Sequence, residues 1–275
     1  PDKKGFSSGA LMMGFGASSL VLGNIANKLF DSSIGWRKTF IILGLASGFV
    51  IAISALIIKR PDNNVVLPEP KKKNNTKSED FDIIDYRPTQ MLARFTFWRA
   101  FIYLICITAV GNSVISFARD LALSVGAKAA LATTLVGVLS VCNGLGRIIT
   151  GAVFDSMGRR FTMIAANILT IIAAGITLLA VYLNNLPLCI IGLCLTGMSY
   201  GSSPTVSSAF TSAFYGQKHF ATNYSIINFT LMAASFIATA CNALLAASGA
   251  YVAPFALLLT LACGALILNL CIRRP

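Results

Sequence analysis

The chain has 275 residues, 56% of them hydrophobic and only 12% charged, with a formal net charge of +12 and a mean hydropathy of +0.74. An ordinary soluble domain carries about a quarter charged residues, so a soluble fold is excluded and the chain reads as a membrane protein. In a soluble protein this basic excess would suggest nucleic acid; in a bilayer, where it falls along the chain matters more than its size.

A helix crossing a hydrocarbon layer of ~30 Å needs about 20 apolar residues. Eight stretches qualify, at roughly 6–28, 37–58, 96–118, 129–153, 161–183, 186–210, 220–246 and 251–272. Membrane β-strands would alternate polar and apolar residues over ~10 positions, and these segments do not. The predicted fold class is therefore an all-α membrane protein. The chain opens on Pro1, with no initiator Met and no signal-peptide layout, and reads as truncated at its N-terminus.

In chain order, the first two spans carry Gly5 and Gly9, Gly14 and Gly16, then Gly44 and Gly48, small residues that let helix backbones approach in lipid. Residues 59–95 follow, rich in proline and charge, and cannot bury a core of their own. They read as a cytoplasmic linker. Its Lys71, Lys72 and Lys73 set topology and are solvated, or touch anionic lipid, and its end, DIIDYRPTQMLARFTFWR, reads as an amphipathic lead-in to the third span. The other connections are short and force neighbouring spans antiparallel. If 1–5, 59–95, 154–160, 211–219 and 273–275 share one side, that side holds most of the 22 Lys and Arg and is cytoplasmic by the positive-inside bias. Lys28, Arg37, Lys38, Arg119 and Lys128 fall on the other side, with Arg119 and Asp120 read as interfacial anchors that do not face each other. Arg147 belongs to neither.

The seven cysteines, Cys106, Cys142, Cys189, Cys194, Cys241, Cys263 and Cys271, lie in apolar spans with no CxxC pair and only His219 to join them. They read as small buried hydrophobes, and no cofactor or metal is predicted. In the sixth span, TGMSYGSSPTVSSAF, Gly197 and Gly201 repeat the small-residue spacing that lets helices approach, and together with Pro204 they are expected to loosen the helix, which makes it a candidate gating helix.

The fourth span carries the chemistry. Arg147 lies six residues before Val153, about 9 Å up the helix, and an arginine that deep costs at least ~2.5 kcal/mol on an insertion scale. Two readings offset that cost. The structural one is snorkelling toward the cytoplasm, since Asp155 is ~12 Å along the axis and too far for an unaided contact. The other is an anionic ligand held by the planar guanidinium fork. Around it, Gly151 leaves a flat face for a neighbouring helix, and Gly158 suits a left-handed turn past the helix end. Asp155 offers an acceptor at the rim, and Arg159 and Arg160 meet the negative end of the helix dipole. Together these residues read as a polar latch at a hinge.

NGLGRIITGAVFDSMGRR resembles the G-x-x-x-D-x-x-G-R-[RK] signature of the major facilitator superfamily, in the version between the eighth and ninth of its twelve helices. PDKKG with the glycine-rich span after it resembles the entry to the fifth helix of the oxalate:formate antiporter group, and GWRKTFIILG the start of its sixth. The resemblance implies that eight of twelve helices are present, with four missing before Pro1. It divides the chain into 1–58, the last two helices of an N-terminal bundle; 59–95, the central linker; and 96–275, a C-terminal six-helix bundle. It also implies a two-bundle secondary transporter working by alternating access, with substrate near the midplane.

Arg147 matches the arginine that serves as substrate counter-ion on the eighth helix of the antiporter group and of the related monocarboxylate transporters. The latter place an acid four residues earlier, where this chain has Asn143. Oxalate carriers use a second cation on the eleventh helix, yet from Phe220 to Ile272 there is no Lys or Arg, and the corresponding centre holds Asn228 and Thr230. One buried cation neutralises one negative charge, which favours a monocarboxylate or a bulkier organic monoanion over oxalate.

The remaining inward polar candidates are Asn112, Ser113, Ser116, Tyr200, Asn223, Tyr224 and Asn228, for each of which interhelical hydrogen bonding is the competing role. Tyr224 and Asn228 share a helix face. The expectation is a monomeric secondary carrier of a small, monocarboxylate-like organic anion, an antiporter or proton symporter in the plasma (inner) membrane, with the lipid bilayer, the anion and protons as its partners and no nucleic acid. An enzyme would need clustered nucleophiles, acids or metal ligands, which the spans lack. The alternative is a carrier of a neutral or cationic drug or sugar, with Arg147 purely structural.

Overall fold

The computed structural model describes residues 4–30, 32, 34–58 and 84–272. The linker 59–83 with Lys71, Lys72 and Lys73, and the terminal 273–275 with Arg273 and Arg274, lie outside the described residues. Every regular element among those described is an α-helix: α1 (Lys4–Phe30), α2 (Gly35–Ile57), α3 (Pro88–Leu92), α4 (Phe95–Ser124), α5 (Ala129–Tyr182), α6 (Leu186–Tyr215), α7 (Phe220–Ile227), α8 (Phe229–Ser248) and α9 (Val252–Leu270).

The 54 residues of α5 would make a rod of about 80 Å at 1.5 Å per residue, far beyond a bilayer. Gly158 interrupts it with φ 78 and ψ 176, a conformation reached almost solely by glycine. The expected left-handed turn is thus present in the sign of φ, with ψ extended. The expected 154–160 loop shrinks to this one residue. Residues 132–139 before it and 174–180 after it join the same apolar cluster, so the two halves of α5 form an antiparallel hairpin. Spans three and six continue past their expected ends, to Ser124 and Tyr215.

The chain divides into two compact units. In the unit of 18–75 with 1–2, α2 presents Trp36, Phe40, Ile41, Leu45 and Phe49 on its surface. Thr39 is buried and its hydroxyl donates to the Gly35 carbonyl at 2.9 Å.

The unit of 3–17 with 76–275 is layered along the helices. At one end, Phe117, Leu121, Leu139, Leu193, Phe255 and Leu258 pack together. At the other, Phe97, Leu104, Met163, Phe210, Tyr215 and Ile227 do the same. Between them lies a buried polar belt. Thr108 and Ser203 share a 2.5 Å hydrogen bond, Thr170 and Ser199 one of 2.6 Å, and Asn167 Nδ2 donates to the Ala262 carbonyl at 2.9 Å. These pairs satisfy polar groups within the bundle, as an apolar solvent requires, while Asn167 Oδ1 and Ser113 Oγ are buried with no partner among the described residues.

Gly197 and Gly201 bring α6 against α5, the close approach that their small-residue spacing led one to expect. A Cβ on Gly201 would collide with the Asn143 carbonyl, one on Gly197 would sit 2.5 Å from the Leu139 carbonyl, and one on Gly146 would strike the Met198 backbone. α6 stays helical through Pro204.

The lead-in to α4 docks on the bundle. Asp85 Oδ1 accepts the backbone N–H groups of Gln217 (2.9 Å) and Lys218 (3.0 Å). Tyr86 donates its N–H to the Tyr215 carbonyl (3.0 Å) and accepts from Asn223 Nδ2 (3.0 Å). Gly216, at φ 78, lies so close to Asp85 that any side chain there would meet the carboxylate. This strap fixes the turn between α6 and α7.

The packing predicts opposite outcomes at two glycines. Gly201→Val should lower the thermal midpoint of the detergent-solubilised full-length protein by an amount corresponding to ~1–3 kcal/mol of overpacking. Gly175→Ala, whose added carbon meets nothing within 4 Å, should hold or raise it, by up to ~1 kcal/mol.

Candidate functional site

The polar belt opens around Arg147. Its side chain is 3% exposed, reached from α5 and walled by α1 and α6. Nη1 donates to the Met12 carbonyl at 3.0 Å, and Nε to Asn143 Oδ1 one turn earlier at 3.3 Å. Gly9 of α1 lies against the Arg147 carbonyl so closely that a Cβ would overlap it, and Thr205 of α6 donates its hydroxyl to that same carbonyl at 3.5 Å. Tyr200 and Tyr224 lie in the neighbourhood of the guanidinium. Tyr224 stacks on Phe220 at 5.4 Å with a 7° tilt. The Asn228 N–H bonds back to the Tyr224 carbonyl at 2.9 Å, and its side chain lies beside the Tyr224 hydroxyl.

The structure thus gathers Arg147, Asn143, Tyr200 and Tyr224, with Asn228 behind Tyr224. Asn112 is engaged elsewhere, donating to Ser235 Oγ at 3.0 Å, although its neighbour Gly111 packs on the Tyr200 ring. Asn223 is turned toward the Tyr86 carbonyl, and Ser113 is buried beside Cys241. Snorkelling is not what Arg147 does: its fork is turned onto α1 within the bundle.

At the Gly158 end, Asp155 Oδ2 accepts the Phe6 N–H at 2.8 Å. A carboxylate is thereby set on the positive end of α1. Arg159 lies over the Phe214 ring, with Cζ 4.0 Å from its centroid; Arg160 is exposed and Gly151 buried. A cavity of about 280 Å³ opens here, lined by Ser8, Asp155, Thr205, Ser208, Ser212 and Gln217 among others, so Thr205 borders both the cavity and the Arg147 backbone. Pro204 is the residue before it.

Two further expectations are corrected. Arg119 and Asp120 do meet, Nη1 to Oδ1 at 3.8 Å, both well exposed, because the long arginine side chain can reach its neighbour's carboxylate near the end of α4. Cys106, Cys189 and Cys241 are buried as expected, but Cys263 and Cys271 are exposed. A thiol tolerates a lipid-facing position as readily as a core one. Sequence reasoning missed Met12, Thr205, Asn167 and the Thr108–Ser203 and Thr170–Ser199 pairs. A backbone acceptor such as the Met12 carbonyl leaves no mark in a sequence, whereas hydroxyls recurring through otherwise apolar spans were a readable sign.

A helical membrane protein with a guanidinium buried in a polar belt, and an acid-glycine-arginine turn between two of its helices, defines the class. The chain belongs to the Major Facilitator Superfamily, which it matches over residues 1–239 and 100–275. It is similar to the uncharacterized MFS-type transporter YhjX of Escherichia coli (strain K12), at 23% identity over 228 residues, which cover 82% of this chain and 54% of that protein. The chain therefore spans about half the length of this curated relative.

The contact between Asp155 and α1 can be tested by itself. Asp155→Ala in the full-length protein should cost ~1 kcal/mol, the usual loss on removing a helix-capping acceptor, and Asp155→Asn less, since the amide oxygen still accepts. Thermal unfolding in detergent would read both; equal midpoints for all three proteins would remove the cap.

Proposed function

We propose that the protein is a secondary active transporter of a small organic monoanion, a monocarboxylate in the simplest case, working by alternating access as an antiporter or proton symporter. The observation that carries this is Arg147, 3% exposed and held by an amide oxygen and a carbonyl beside Tyr200 and Tyr224. Burying a guanidinium is costly, and a planar fork with hydroxyl donors around it suits a carboxylate. From Thr96 onward the only acids are Asp120 and Asp155. The first sits at the end of α4 and the second at the α1 N-terminus, so the cationic character of the belt comes from Arg147. Asn143, Tyr224 and Asn228 would orient the anion, while Gly151, Asp155, Gly158, Arg159, Arg160 and Pro204 would form the latch and hinge. The 59–95 side is taken as cytoplasmic on its basic charge, and the carrier as a monomer of the plasma (inner) membrane that performs no catalysis.

The second reading, a carrier of a neutral or cationic solute, draws on the same bonds from Arg147 to Asn143 and Met12, which would then be purely structural. Uptake of labelled formate, lactate and oxalate into proteoliposomes of the full-length protein separates the two. Arg147→Gln and Arg147→Lys should insert normally and lose at least about tenfold in monoanion uptake, roughly 1.4 kcal/mol, because lysine keeps the charge without the fork. Undiminished uptake in Arg147→Gln would overturn the counter-ion role.

A further inference from the structure

α4 and α8 share a face on which polar groups stand in otherwise apolar surroundings. Asn112 and Ser116 on α4 are one turn apart, as are Ser235 and Thr239 on α8, with Asn242 three residues on, so each set forms a stripe along its helix. Asn112 is half-buried and the other four are exposed. The stripes are tied twice: Asn112 Nδ2 donates to Ser235 Oγ at 3.0 Å, and Asn242 Nδ2 to Ser116 Oγ at 3.1 Å. Both ties advance in the same direction, so the two helices run parallel here.

The hydroxyls of Ser116, Ser235 and Thr239 donate to carbonyls of their own helices, at 2.6, 2.9 and 3.0 Å. The asparagines are left differently. Each spends one N–H on its tie, and among the described residues nothing accepts the other N–H or donates to Oδ1. Lipid tails cannot serve an amide, whereas water or a polar solute can. Neighbouring Met232 and Phe236 are exposed hydrocarbon, so the polar stripe is narrow. It also leads somewhere. Gly111, beside Asn112, packs on Tyr200, which lies near Arg147; toward the other end of α4, three residues past Ser116, stands exposed Arg119.

We propose that this ladder is a water-lined wall of the path between the Arg119 end of the bundle and Arg147, with Asn112 and Asn242 as hydrogen-bonding stations for the solute. The inference rests on the transport reading and adds the chemistry of the solute's uncharged part. Amides offer a donor and an acceptor but no charge, so they hold hydroxyl or carbonyl groups while the guanidinium holds the anionic one.

The test is water access. Ser235→Cys, Thr239→Cys and Asn242→Cys are made singly in the full-length protein, with Phe236→Cys as the hydrocarbon-facing control and the unsubstituted protein, bearing Cys263 and Cys271, as the baseline. In proteoliposomes each is treated with a charged, membrane-impermeant methanethiosulfonate. The cysteine thiolate, which forms in water and not in hydrocarbon, attacks the reagent's sulfenyl sulfur, forming a mixed disulfide and releasing methanesulfinate. The three ladder positions should react at least about tenfold faster than Phe236→Cys, as the thiolate requirement dictates. Equally slow reaction at all four would overturn the proposal, placing the stripe against lipid or protein. The labelling needs no substrate, so it fails separately from the anion reading. Fast labelling with uptake intact in Arg147→Gln keeps the path and removes the anion; slow labelling with uptake lost in Arg147→Gln does the reverse.

Discussion

A guanidinium inside an apolar bundle has to be solvated by the protein itself, and the middle of this molecule is arranged around that requirement. Arg147 is buried, and oxygen atoms are brought to it from its own helix through Asn143 and from α1 through the Met12 carbonyl. A main-chain carbonyl can approach that closely only where side chains give way. Gly9 supplies that clearance on α1 and Gly146 on the opposite face of α5, where Met198 of α6 presses in. The cation therefore dictates the glycines, and the glycines dictate how tightly α1, α5 and α6 are clamped.

The same logic extends to the belt. Threonine and serine hydroxyls pair across helices at Thr108 and Ser203 and at Thr170 and Ser199, while apolar clusters close both ends of the bundle. Without the hydrophobic drive that water provides, such pairs and close small-residue contacts are what hold helices together in lipid. A belt of hydroxyls costs little when satisfied, and it keeps a polar environment at the depth of Arg147. The fold and the candidate site are in this sense one construction.

Much of this was legible in the residues. Span positions followed from apolar run length, the reversal after the fourth span from Gly158, and the focus of the site from one arginine where only hydrocarbon was expected. What stayed hidden was hidden for physical reasons. The Met12 carbonyl is backbone, and any residue at position 12 would present it. Gly197 and Gly201 could be read both as weak points in α6, because a glycine in a helix lowers its intrinsic propensity, and as points of close approach; which one a glycine serves depends on the partner, and Asn143 and Leu139 are far away in sequence. Residues 84–94 sat in a charged, proline-rich run whose composition argued for solvation, yet one carboxylate, Asp85, finding two N–H groups at the turn after α6 was enough to dock it. Asn112 stood out as an amide in an apolar span, but its tie to Ser235 required knowing that α4 and α8 are neighbours.

That docked carboxylate has a mechanical meaning. A tug on the tether entering at residue 84 is not delivered to the first turn of α4, where the chain's order would put it. It passes through Asp85 into the amides of Gln217 and Lys218, at the feet of α6 and α7. α6 carries Thr205, seated on the Arg147 carbonyl, and α7 carries Tyr224. Tension in the tether is thus transmitted first to the two helices that flank the guanidinium, and α4 feels it second.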